Sequence, residues 1–181
     1  MNDSKVLKLV CAGMLQSWRN TGLGPYYRYT ELTPTKSGIA GMIACALGYP
    51  RGDTRIEKLK NSFELYMDKH NSGPMQPGNT SVPDTLMDYQ TIFAENMEVA
   101  DGSSPLHSAS IIMKEYIVGY RFVLYLKAND EQLKKIEAAL NNPVWDYYLG
   151  SKCCVPAEPV CNGICDMPEM EDDNVYQYIR I

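Results

Sequence analysis

The chain has 181 residues, of which 45% are hydrophobic and 22% charged, enough for one core-bearing domain with an insertion. No run approaches the ~18 consecutive apolar residues of a membrane span, and the first residues, MNDSKVLKLVCAG, alternate and carry two lysines, which reads as a strand rather than a signal peptide. A formal net charge of −5 argues against strong non-specific affinity for polyanions.

That charge is unevenly spread. Residues 158–173 hold Glu158, Asp166, Glu169, Glu171, Asp172 and Asp173 with no base. With these six set aside, 16 acidic residues face 17 basic ones. The body is therefore near neutral, and any polyanion site on it must be local. With no export signal, the six cysteines read as reduced thiols in a cytoplasm.

In chain order, the apolar run Val6, Leu7, Leu9 and Val10 predicts a central strand over 5–11. A polar loop rich in glycine and tyrosine follows. A helix is predicted to start sharply at Pro34-Thr35-Lys36-Ser37, with Ile39, Met42, Ile43, Ala46 and Leu47 at helical spacing and Gly48 as its C-terminal stop. Phe63, Leu65 and Met67 alternate in a strand over 62–68. Residues 69–84, rich in Gly, Pro, Asn and Ser, read as a loop excursion. Short strand-like pieces follow at 86–93 and 108–113, then the strongest strand at Tyr120–Leu126. Asn129, with Asp130 and Glu131 behind it, predicts the N-cap of a second helix carrying Leu133, Ile136, Ala139 and Leu140. A last core strand is expected near 152–156 and an edge strand over Val175–Ile181.

Without the excursion the order is βαββαβ, an α+β, ferredoxin-like (RRM-like) arrangement. The expected organisation is a domain over 1–157, interrupted by an insertion at about 69–118, and a short acidic C-terminal extension over 158–181. Many activities use this scaffold, so function must come from sites.

Five segments carry a resemblance. They are Leu9 through Trp18, with its strand, glycine and Gln16-Ser17-Trp18; Pro34-Thr35-Lys36-Ser37-Gly38; Asp88-Tyr89-Gln90-Thr91; Lys114-Glu115-Tyr116-Ile117; and Pro143 through Tyr148-Leu149-Gly150 to Cys154. Together, and in this order, they resemble the CasD-type subunits of type I-E CRISPR Cascade complexes, among the repeat-associated mysterious proteins. The resemblance implies a non-catalytic subunit that caps the 5′ handle of the CRISPR RNA and joins the backbone subunits and the large subunit. The assembled complex then recognises target DNA in antiviral defence. It also implies that the insertion is a β-hairpin thumb packed on a neighbouring backbone subunit. No membrane and no cofactor are implied. The family's members continue for several tens of residues past the Cys-Pro region, so the acidic end reads as a shortened member or as one part of a longer fusion.

The residues suit RNA in specific ways, each beside a plainer reading. Lys36, Ser37 and Gly38 put a cation, a hydroxyl and a small residue at a helix N-terminus, which favours a phosphate; the same residues also make an ordinary capped helix start. Their spacing does not match a phosphate-binding P-loop. Trp18 can stack on a base and Gln16 can bond a base edge, or the indole can cover the core. Arg28 among Tyr26, Tyr27 and Tyr29 suits stacking and phosphate contact, and equally a protein interface. Tyr89, Gln90, Lys114 and Tyr116 flank the base of the insertion, where the resemblance places the handle; the alternative is a cross-strand aromatic pair with one exposed lysine.

Catalysis is not expected. The related type I-C processing subunit cleaves precursor RNA with tyrosine, lysine and histidine. Here Gln90 replaces the histidine of the family's Asp-Tyr-His-Thr, and the two histidines, His70 and His107, lie in the excursion. The alternative activity is a metal-independent endoribonuclease relying on Lys114 and Tyr116. Cys153, Cys154, Cys161 and Cys165 lack the paired spacing of common zinc knuckles, so buried reduced thiols are expected rather than a metal site.

Overall fold

The computed structural model describes residues 5–19, 26–76, 82–92, 110–168 and 178–180. Strand β1 (Lys5–Gln16) is antiparallel to β7 (Ser110–Lys127), and β7 is antiparallel in turn to β5 (Glu64–Pro74). On the outer sides lie β8 (Cys161–Asp166), beside β1, and β9 (Tyr178–Arg180), beside β5, giving the order β8-β1-β7-β5-β9. Helix α1 (Lys36–Ala46) and helix α2 (Thr54–Asn61) connect β1 to β5, and α3 (Asp130–Asn141) connects β7 to β8. The protein is thus α+β, with three helices described.

The caps explain the helix boundaries. Thr35 accepts a hydrogen bond from the Gly38 N–H at 3.1 Å, and Asn129 accepts one from Gln132 N–H at 2.9 Å, each satisfying a donor that the helix start leaves orphaned. Leu47 closes α1, and Gly48 takes φ 73° beyond it. Gly48 N–H donates to Cys45 and Tyr49 N–H to Ala44, the paired bonds of a Schellman ending.

The alternation of β1 divides it between two layers. Leu7, Leu9 and Cys11 join Ile39, Ile43, Phe63, Leu65, Leu124, Leu126, Leu133 and Ile136 in the main core. Val6, Val123 and Tyr125 form a smaller cluster with Tyr66, Cys165 and Met167. Each fully buried Leu or Ile in the main core stabilises the fold by ~1.5–3 kcal/mol, so the strand–helix layer dominates the energetics.

Four sequence expectations change. The pieces at 108–113 and 120–126 are one 18-residue strand, β7. The strand expected at 62–68 runs on to Pro74, with a register shift between Asp68 and Gly73 where Asp68 accepts bonds from the Asn71 backbone and side chain. Helix α2 was not expected. The last core strand lies at 161–166, not near 152–156. The earlier stretch does run beside β1, with Ala157 N–H donating to Ala12 and Val10 N–H to Val160. Pro156 and Pro159 supply no N–H there, so a continuous ladder cannot form until Cys161. β8 therefore lies within the segment expected to be an appended extension. Of the edge strand expected over 175–181, Tyr178–Arg180 pairs with β5; the remainder, like His107, lies outside the described residues.

Candidate nucleic-acid interface

Beyond Tyr116–Ile117, β7 leaves the core and pairs with β6 (Thr85–Ile92) in an unshifted antiparallel register from Thr85↔Ile117 to Ile92↔Ser110. On its other side β3 (Tyr27–Arg28) runs parallel to it, with Tyr27 beside Met113 and Arg28 beside Lys114. The result is a three-stranded ribbon continuous with the sheet.

Strand alternation sorts its side chains into two faces. Arg28, Lys114, Asp88, Gln90 and Tyr116 share one; Tyr27, Met113, Tyr89, Met87 and Ile111 share the other. Tyr27 and Tyr29 stack on that second side, with centroids 6.2 Å apart and planes within 6°. Of the residues expected at the insertion base, Arg28, Gln90, Lys114 and Tyr116 are brought together, whereas Tyr89 points to the opposite side and is 56% exposed. Arg28 is exposed and Lys114 half-buried. Gln90 donates to Asp88 at 2.6 Å, so one carboxylate sits among the cations and holds the amide.

Tyr116 is interior, at 4% exposure. Burial, and secondarily the contact with Cys153, pushes its phenol well above the ordinary range, which suits neither a general base nor a general acid near neutral pH.

Gln16 and Trp18 are completely buried. The Gln16 amide donates to the carbonyls of Cys11 at 3.1 Å and Tyr120 at 2.6 Å, and its oxygen accepts from the Trp18 indole N–H at 3.2 Å. Both amide hydrogens and one lone pair of the oxygen are used inside, tying the end of β1 to β7. The expectation that these two side chains meet RNA is revised accordingly: they support the surface rather than form it. Gly38 is revised too. A Cβ there would lie 2.8 Å from a Trp18 ring carbon, so its smallness admits the indole. Lys36 lies half-buried with its ammonium 5.4 Å from the centre of the Phe63 ring, and Ser37 is exposed.

The 147–154 segment has a role the sequence did not reveal. Ser17 N–H donates to Leu149 at 3.0 Å, and Leu149 N–H to Cys154 at 2.8 Å. Gly150, at φ 97°, passes so close to β1 that a Cβ would fall 1.7 Å from the Ser17 carbonyl oxygen. The one local signal for this lock is Gly150 itself, placed after Leu149. Cys153 and Cys154 lie in this turn and Cys161 and Cys165 on β8; among the described residues no three His, Cys, Asp or Glu side chains gather as a metal site. No described helix is long and apolar enough to cross a membrane.

A sheet backed by helices, with one strand prolonged into a cation-bearing ribbon, defines a class of scaffold with a protruding arm. A family model described as CRISPR-associated protein (Cas_Cas5) matches residues 6–180, and the chain belongs to that family. It is 26% identical over 172 residues to the CRISPR system Cascade subunit CasD of Escherichia coli (strain K12), covering 91% of this chain and 72% of that protein. A chain of a solved CRISPR RNA-guided surveillance complex superposes with a TM-score of 0.68 at 25% identity, over 86% of this chain and 61% of its own length. A second solved Cas protein gives a TM-score of 0.56 at 22% identity, over 91% and 63%. This chain thus spans somewhat under two thirds of the solved chains it matches.

Proposed function

We propose that the protein is a non-catalytic Cascade subunit that binds and caps the 5′ handle of the CRISPR RNA through the ribbon face carrying Arg28, Gln90 and Lys114, with Lys36 and Ser37 as a further phosphate contact. The single observation that carries this reading is the register that puts Arg28 beside Lys114 on an arm prolonged from the sheet. Two cations on one strand pair match successive phosphates, and the half-buried surroundings of Lys114 strengthen each contact. In this reading the sheet order β8-β1-β7-β5 is that of a ferredoxin-like βαββαβ domain, and the β6–β7 ribbon is its thumb. The opposite ribbon face, with Tyr27, Tyr89 and Met87, suits a neighbouring backbone subunit, since exposed aromatics and methionine favour protein contacts. The large subunit and target DNA are partners of the assembly.

The modest net charge makes RNA capture depend on the assembly. Arg28→Glu and Lys114→Glu, introduced into the co-expressed complex, are expected each to weaken handle retention by about tenfold, the scale of a lost charge-assisted bond. Normal retention with both changes would overturn the assigned face. Purified protein with repeat RNA in EDTA is expected to leave the RNA intact; specific cleavage abolished by Tyr116→Phe would establish the endoribonuclease reading instead.

A further inference from the structure

We propose that Cys153 and Cys154 form a redox-responsive vicinal dithiol, which reacts with small disulfides of the glutathione class and closes reversibly, loosening the turn that braces the base of the ribbon. Their sulfurs are 3.9 Å apart, and both thiols are free. Cys153 is exposed and Cys154 fully buried, so an incoming disulfide meets Cys153 first. The Cys153 thiol also contacts the Tyr116 hydroxyl at 3.6 Å.

The chemistry balances as two exchanges. Cys153, as thiolate, attacks one sulfur of the small disulfide. The S–S bond of that molecule breaks, and one small thiolate leaves and takes up a proton. Cys154 then attacks the Cys153 sulfur as the turn opens, the bond from Cys153 to the small molecule breaks, and the departing thiolate takes the Cys154 proton and leaves as the second small thiol. The protein gives up two electrons and the small disulfide is reduced to two thiols.

Closure cannot be silent. The sulfurs must approach from 3.9 Å to about 2.05 Å, which draws Cys153 off Tyr116 or Cys154 out of its buried seat. The Cys154 main chain accepts from Leu149 N–H and donates to Ser151, both at 2.8 Å, and Leu149 in turn holds Ser17. Gly150 already lies against the Ser17 carbonyl, so the turn has no room to move inward and must lift away. Adjacent Cα atoms, about 3.8 Å apart, also fall below the usual disulfide range, which makes such a bond readily reducible.

The test uses the full chain treated with a series of oxidised-to-reduced glutathione ratios. The chain is cut after Lys152, and tandem mass fragmentation of the peptide that begins at Cys153 reads Cys153 and Cys154 apart from Cys161 and Cys165, while amide hydrogen exchange is followed over 110–118 and 147–155. The expected result is a fragment lighter by two hydrogens, restored by dithiothreitol and absent in Cys153→Ser. Exchange in both segments should rise several-fold on oxidation in the wild type and stay constant in that variant. A fragment that remains reduced or stops at a glutathione adduct would overturn the proposal, as would closure with unchanged exchange. These readouts need no RNA, so they stand apart from the handle-binding assay; if that reading also holds, the oxidised protein should retain the handle more weakly.

Discussion

At the residue scale, the amide of Gln16 is a bracket. It bonds two carbonyls and an indole inside the protein, at the point where β1 ends and the ribbon begins. Gln16→Ala leaves those buried partners unpaired and should cost at least ~1–3 kcal/mol, seen as a lower urea midpoint. The neighbouring thiol Cys11 gives a pH signature. Complete burial raises its pKa from 9.0 to about 12. A raised folded value means that the stabilising contribution is intact below about pH 9 and is lost as pH climbs toward 12, because the unfolded chain ionises first. Thermal melts should fall between pH 9 and 11, and less steeply in Cys11→Ala. Why Gln16 and Trp18 read as RNA contacts is also plain at this scale. An amide beside an indole offers the same groups to a base or to a carbonyl, and only burial distinguishes the two.

At the element scale, β7 joins two jobs. Its Phe122–Leu126 half lies in the core and its Ser110–Glu115 half forms the ribbon spine. Because Tyr116 and Ile117 still belong to the core, the ribbon can be shortened only outside them. Replacing 82–112 with a short Gly-Ser linker should leave a cooperatively folded body with a similar melting temperature, while handle retention in the complex is lost; a molten product would show that the ribbon is part of the folding unit. Strand and helix identities were legible where apolar periodicity was strong, as in β1, α1, α3 and Tyr120–Leu126. Helix α2 escaped because only Leu59 is buried along TRIEKLKN, leaving Asp53 as its lone start signal. The last core strand was misplaced because an apolar run interrupted by prolines looks extended without being able to pair. Which residues of β3, β6 and β7 share a face became visible only through the cross-strand registers, which no local pattern encodes and which put Asp88 and Arg28 beside Lys114.

At the scale of the whole molecule, the balance of charge sets how the protein works. A chain with a net charge of −5 exerts little long-range attraction on a polyanion, and under the proposed function the two cations on a shared strand pair supply a local site. Much of the family motif set, including Gln16, Trp18, Gly38, Gly150 and Cys154, builds the joint between body and ribbon, whereas Arg28, Lys114 and Gln90 offer side chains outward. The motifs thus identified the family better than they identified the contact surface. The most direct measurement is photo-crosslinking in the assembled complex, with 4-thiouridine at each leading nucleotide of the guide and mass analysis of the adducts. Adducts in the peptides carrying Arg28 and Lys114 are predicted. Adducts confined to other subunits, or to the Tyr27–Tyr89 face, would contradict the account.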